Sequence, residues 1–174
     1  MIEEDVRRLD DILAELNKEA SKHRQARDDY QKQASVLADK RDRLQAQARK
    51  LSSQASVYKQ QRDECNLSAR EAKRSRDEWN DRAARMKAAG GLGDIGEARN
   101  QAQNYHQKVV KYSQDGQAAH DKMHALMDEA DSLRKQAQEC HEQCMVCRRA
   151  ADSEHEKYIS VIRRIEKVRD ELPE

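Results

Sequence analysis

From Val6 to Met86 the apolar positions advance by alternating steps of three and four without a slip: Val6, Leu9, Leu13, Leu16, Ala20, then through Ala34, Leu37 and Leu44 to Trp79, Ala83 and Met86. Nineteen of these 24 positions are apolar or aromatic. A seven-residue repeat held over such a length predicts an α-helix that supercoils left-handedly against a partner helix. A second series runs from Ala98 to Leu172, and only Gly116 and Glu154 break it among 22 positions. Between the two lies Gly-Gly-Leu-Gly-Asp-Ile-Gly at 90–96. Glycine is the usual residue at the left-handed position that closes a helix, and Asp94 followed by Glu97 reads as a capping box that opens another. The pattern therefore predicts an all-α protein, a long antiparallel two-helix coiled-coil hairpin with a glycine-rich tip. It forms a single domain over 1–174, with helix one at about 2–89, the tip at 90–96 and helix two at about 95–172. At about 1.5 Å per residue, the first helix would extend on the order of 130 Å, so the expected molecule is a rod.

The polar exceptions are themselves periodic. Arg27, Arg41, Arg62 and Arg76 occupy seam positions, each followed by aspartate, at spacings of 14, 21 and 14. His106, His120, His141 and His155 recur in the second half one residue after an alanine, cysteine or glutamate or, in one case, a tyrosine, again at 14, 21 and 14. Paired antiparallel, each arginine and histidine number sum to 182, so the two repeats mirror each other about residue 91. A hairpin in which residue i faces roughly residue 182 − i accounts for this, and the four arginine–histidine layers are expected to set its register. The histidines also admit the reading of a pH switch, since imidazole titrates near neutrality. Glu154 falls opposite Arg27, which predicts an ion pair between them.

Composition narrows the function classes. Charged residues make up 39% of the chain, phenylalanine is absent and Pro173 is the only proline, so a narrow seam is all that can be buried. The acidic start and the lack of a long apolar run predict a soluble cytoplasmic protein with no membrane segment. Cys65, Cys140, Cys144 and Cys147 are expected to be free thiols. The spacing Cys140-x3-Cys144-x2-Cys147 matches that by which radical-SAM enzymes hold an iron–sulfur cluster. On consecutive seam positions of a helix, however, the three read as small buried hydrophobes rather than zinc or cluster ligands. His120 and His124 stand one turn apart without a companion carboxylate motif, and the glycine turn lacks the Lys-Ser/Thr of a phosphate loop. No nucleophile, base and orienting group converge, so no catalytic residue, cofactor or metal is expected and the chain reads as a non-enzyme.

Charge is more informative. Residues 70–112 hold ten Lys and Arg against six acids, whereas the remainder of the chain carries a net charge of −3. Arg82, Arg85 and Lys87 are the expected phosphate contacts, and Leu92 and Ile95 read either as an apolar docking pair at the tip or as a hydrophobic closure folded over the last turn. All six aromatics fall on the seam, which leaves no stacking platform for bases and predicts no DNA sequence readout.

Several segments carry a resemblance. Arg-Asp-Glu-Cys-Asn at 62–66, Arg-Asp-Glu-Trp-Asn at 76–80, Ala119 to Met123, Glu129 to Lys135 and His155 to Tyr158 resemble an uncharacterised group of archaeal coiled-coil proteins. That group is built on repeated Lys-Arg-Asp-Glu-Leu-Asn and Ala-His-Glu-Lys units. Some members are labelled phosphoserine phosphatase, but the Asp-x-Asp nucleophile motif of those enzymes is missing here. The group is remotely similar to a fungal nuclear segregation protein, which implies a translation-linked role. The expectation is a coiled-coil adaptor or spacer that meets a ribosome or other ribonucleoprotein through its basic tip. The alternative is a structural protein whose hairpins self-associate along their sides.

Overall fold

The structure, a computed structural model, describes residues 2–90 and 94–173. It is an all-α helical hairpin of two long helices, α1 (Ile2–Ala88) and α2 (Ile95–Glu171). Both run unbroken because glycine and proline are nearly absent from their interiors: α1 has neither, and α2 has only Gly96 in its first turn and Gly116. Glu3, Glu4 and Asp5 in the first turn of α1 and Arg85 and Lys87 in its last complement the helix dipole.

The helix ends follow the glycine turn closely. Gly90 takes φ +74°, a left-handed conformation that glycine adopts without steric cost. Around it the Ala89 amide donates to the Arg85 carbonyl at 3.0 Å and the Gly90 amide to the Lys87 carbonyl at 3.3 Å. On the far side the Asp94 carbonyl accepts the Ala98 amide at 3.0 Å, which puts Asp94 at the N-cap of α2.

Contacts between the helices divide into two compact units, Met1–Ala46 with Arg134–Glu174, and Gln47–Leu133. In the first, Leu16, Ala20, Val161 and Ile165 form a buried cluster flanked by Leu13, Tyr158, Ile162 and Val168. The second has a thinner core, with Ala48, Ala55, Ala72 and Ala83 of α1 and Ala98, Ala102, Ala119, Met123 and Ala130 of α2. Alanine loses no side-chain entropy on entering a helix or on burial, but it removes little apolar surface from water. Every predicted seam position of α2 is buried or half-buried. In α1 only Tyr30, at 36% exposure, stays outside.

Gly116, a break in the sequence pattern, is a point of close approach. A Cβ built there would lie 3.0 Å from Asn66 Oδ1 and 3.4 Å from Cys65 Cβ. Asn66 is exposed and its amide is the end of a flexible side chain, so it can turn away from one methyl group. Gly116→Ala should therefore stabilise the hairpin by about 0.5–1 kcal/mol through helix propensity. Gly116→Leu, which drives a branched chain into Cys65 and the Arg62 carbonyl, should destabilise it by about 1–3 kcal/mol. Urea midpoints of the two variants on either side of the parent are the check; a fall for both would mean that the helices cannot yield even a methyl.

Candidate functional site

The four seam arginines build the same side-chain layer four times. In each, Nε donates to Oδ1 of the aspartate that follows, at 3.0–3.1 Å: Arg27 to Asp28, Arg41 to Asp42, Arg62 to Asp63 and Arg76 to Asp77. The other branch of the guanidinium crosses to α2. Arg27 Nη1 lies 3.0 Å from His155 Nδ1, Arg41 Nη1 2.8 Å from His141 Nδ1, and Arg62 and Arg76 Nη1 3.1 Å from His120 and His106 Nδ1. These are the pairs whose numbers sum to 182. Arginine can only donate, so each Nδ1 accepts and the ring proton resides on Nε2, which is left as a further donor.

The layers sit at the rim of the seam rather than inside it. Their arginine side chains keep 21–22% exposure, and among the described residues no polar or charged side chain is fully buried. The aliphatic stems cross the seam while the charged heads reach water, so the layers avoid most of the cost of a buried ion pair.

Glu154 pairs differently from the sequence expectation. Its Oε2 contacts His23 Nδ1 at 2.5 Å and its Oε1 lies 3.4 Å from Lys157 Nζ, while the Arg27 guanidinium is already occupied by Asp28 and His155. The hydrogen bond from His23 holds the Glu154 carboxyl below the ordinary carboxylate range, helped by the Lys157 charge and opposed by desolvation.

The cysteines are all free thiols, Cys140 and Cys144 buried, Cys65 and Cys147 half-buried. Cys144 donates to the Ala34 carbonyl at 3.3 Å, and Cys147 lies 3.7 Å from Gln33 Oε1. Among the described residues no three His, Cys, Asp or Glu side chains are grouped so as to hold a metal ion. His124 packs edge-on to His120 at 4.4 Å between ring centroids.

Near the turn, Arg82, Arg85 and Lys87 are exposed, with the Arg82 guanidinium 4.7 Å over the Trp79 ring. Leu92 lies outside the described residues. Ile95, the first residue of α2, is half-buried. Three other aromatics also have cations at their faces: Lys108 lies 5.0 Å from the centre of Tyr105, Lys122 5.4 Å from that of Tyr58 and Arg27 5.5 Å from that of Tyr158.

Of the ten Lys and Arg in 70–112, all but Arg76 are exposed, and among the described residues Arg76 is the one member that is ion-paired, with Asp77 at 3.1 Å. An open groove of about 510 Å³ joins the Arg76 layer to this charge, lined by Arg76, Asp77 and Asn80 of α1 and Arg99, Gln103 and His106 of α2. The sequence signal for the groove was the acid-free stretch 98–114, which the charge count over a wider window conceals. Among the described residues no helix is long and apolar enough to cross a membrane.

Comparison with curated proteins and with solved structures gives no match. A family match covers both helices, over residues 13–89 and 89–174, meeting at the turn. By that coverage the chain belongs to the family of unknown function DUF7121.

Proposed function

We propose that the protein is a non-enzymatic coiled-coil adaptor or spacer of the cytoplasm that docks on a ribosome or another ribonucleoprotein through the basic region beside its turn. The observation that carries this reading is the set of exposed cations in 70–112, nine of them without an ion-pair partner among the described residues. Unpaired cations on one segment attract a polyanion and release its counterions. With four of the six aromatics carrying a cation at the ring face, contact falls on phosphates rather than on bases. Arg82, Arg85 and Lys87 are the principal contacts. The resemblance to archaeal coiled-coil proteins and, remotely, to the fungal nuclear segregation protein points the same way.

Sedimentation of native lysate through sucrose at low and high salt tests this, with an Arg82→Ala/Arg85→Ala/Lys87→Ala variant alongside. Co-migration with ribosomal particles, lost in high salt and reduced in the variant, is the expected result. Protein that stays at the top of every gradient would remove the ribosome and leave self-association. That second reading draws on scattered exposed apolar residues such as Val36 at 57%, Leu67 at 56% and Val146 at 61%, and side-to-side apolar packing is insensitive to salt.

A further inference from the structure

We infer that the groove between Arg76 and Arg99 is a seat for the phosphodiester backbone of RNA, an inference that rests on the ribonucleoprotein reading above and locates its contact. Four layers share one geometry, yet their surroundings differ. His120, His141 and His155 are each followed by an acid, Asp121, Glu142 and Glu156, whereas His106 is followed by Gln107. From Ala98 to Gln114, α2 carries no acidic residue at all and offers Arg99, Lys108 and Lys111.

The donor chemistry of the groove fits a phosphate. Arg76 spends Nε on Asp77 and Nη1 on His106, which leaves Nη2. Because His106 accepts at Nδ1, its Nε2 carries a proton, and the residue is exposed. Arg99 lines the same groove from α2 with no ion-pair partner among the described residues, and the Asn80 and Gln103 amides supply neutral donors. Asp77 is the one acid in the lining, and it is engaged by Arg76. Two guanidinium groups, an imidazole N–H and two amides around one open groove match the oxygens of a phosphate. Openness suits a chain that runs through rather than a small molecule that is enclosed.

The test is fluorescence anisotropy of the full chain with a labelled, unstructured oligouridylate at about 50 and 200 mM salt. Arg99→Ala removes a charged donor. Gln107→Glu removes nothing but gives this layer the acidic neighbour that the other three possess, so the fold should tolerate it. Both should weaken binding, Gln107→Glu by repelling the phosphate and Arg99→Ala by about tenfold or more, the loss of one charge-assisted contact, with its salt slope flattened by about 0.7. Arg148→Ala, at the corresponding place before His155 in the acid-flanked layer, should bind as the parent does. Parent-like affinity of both groove variants, with loss confined to the Arg82/Arg85/Lys87 variant, would overturn the groove while sparing the docking reading. A parent that fails to bind oligouridylate even at the lower salt would overturn phosphate contact at both places.

Discussion

Ile165→Ala should lower the unfolding free energy by about 2–5 kcal/mol, the range for deleting a buried branched side chain and leaving a cavity. Ile165 is 3% exposed, in the cluster with Leu16, Ala20 and Val161. Nowhere else among the described residues do buried leucine, valine and isoleucine gather; the rest of the seam is buried as alanine, with Met123 and two cysteines. An alanine seam holds alignment but contributes little burial, so the stability of a long hairpin concentrates where the branched residues are. Ile162, which packs on the cluster half-buried, should cost clearly less when changed to alanine. Urea unfolding followed by helical circular dichroism reads both, and a loss below about 1 kcal/mol for Ile165→Ala would show that stability is spread along the seam instead.

The fold was legible because a coiled coil writes its contacts directly into its spacing. Positions three and four apart define one face, and that face, Tyr30 apart, is buried or half-buried along both helices. Register was legible for a less common reason. Arginine and histidine at seam positions are rare enough to act as markers, and their mirrored spacing allowed one antiparallel alignment, whose four contacts are the ones observed.

What spacing does not encode is how a long side chain divides itself among neighbours. Glu154 and Arg27 face each other by position, but the Arg27 guanidinium turns to the adjacent Asp28 and to His155, and His23 takes the carboxylate. Nor does spacing distinguish a defect from an accommodation. Gly116 reads as a flaw in the seam, whereas in space a Cβ there would press on Asn66 and Cys65. The candidate site was legible only as a charge excess. Its organisation depends on which acids are missing, Gln107 above all, and an absence becomes visible only when the layers are compared with one another.

Replacing Arg27, Arg41, Arg62 and Arg76 together by leucine should make the hairpin more stable and less uniquely aligned. The arginine heads reach water at the rim of the seam, whereas leucine at the same positions adds apolar surface to the burial between the helices, so the thermal midpoint should rise. Alignment is a separate quantity, and the unequal spacing of the layers bears on it. With intervals of 14, 21 and 14, no slip by whole heptads matches more than two of the four arginines to a histidine. Equal intervals would have allowed three. Leucines at the same positions accept any heptad register, and only the short turn then opposes slippage. Cys65 supplies a reporter: a Cβ at position 116 would lie 3.4 Å from Cys65 Cβ, just under the roughly 3.5–4.5 Å that a disulfide spans. Gly116→Cys in the parent should therefore oxidise to an intramolecular Cys65 cross-link in nearly every molecule. In the four-leucine background the same cross-link should form in only a fraction of them, with peptide mapping showing other pairings or cross-links between chains. An undiminished yield there would mean that the alanine seam and the turn fix the register by themselves, leaving the arginine–histidine layers to serve the surface they present.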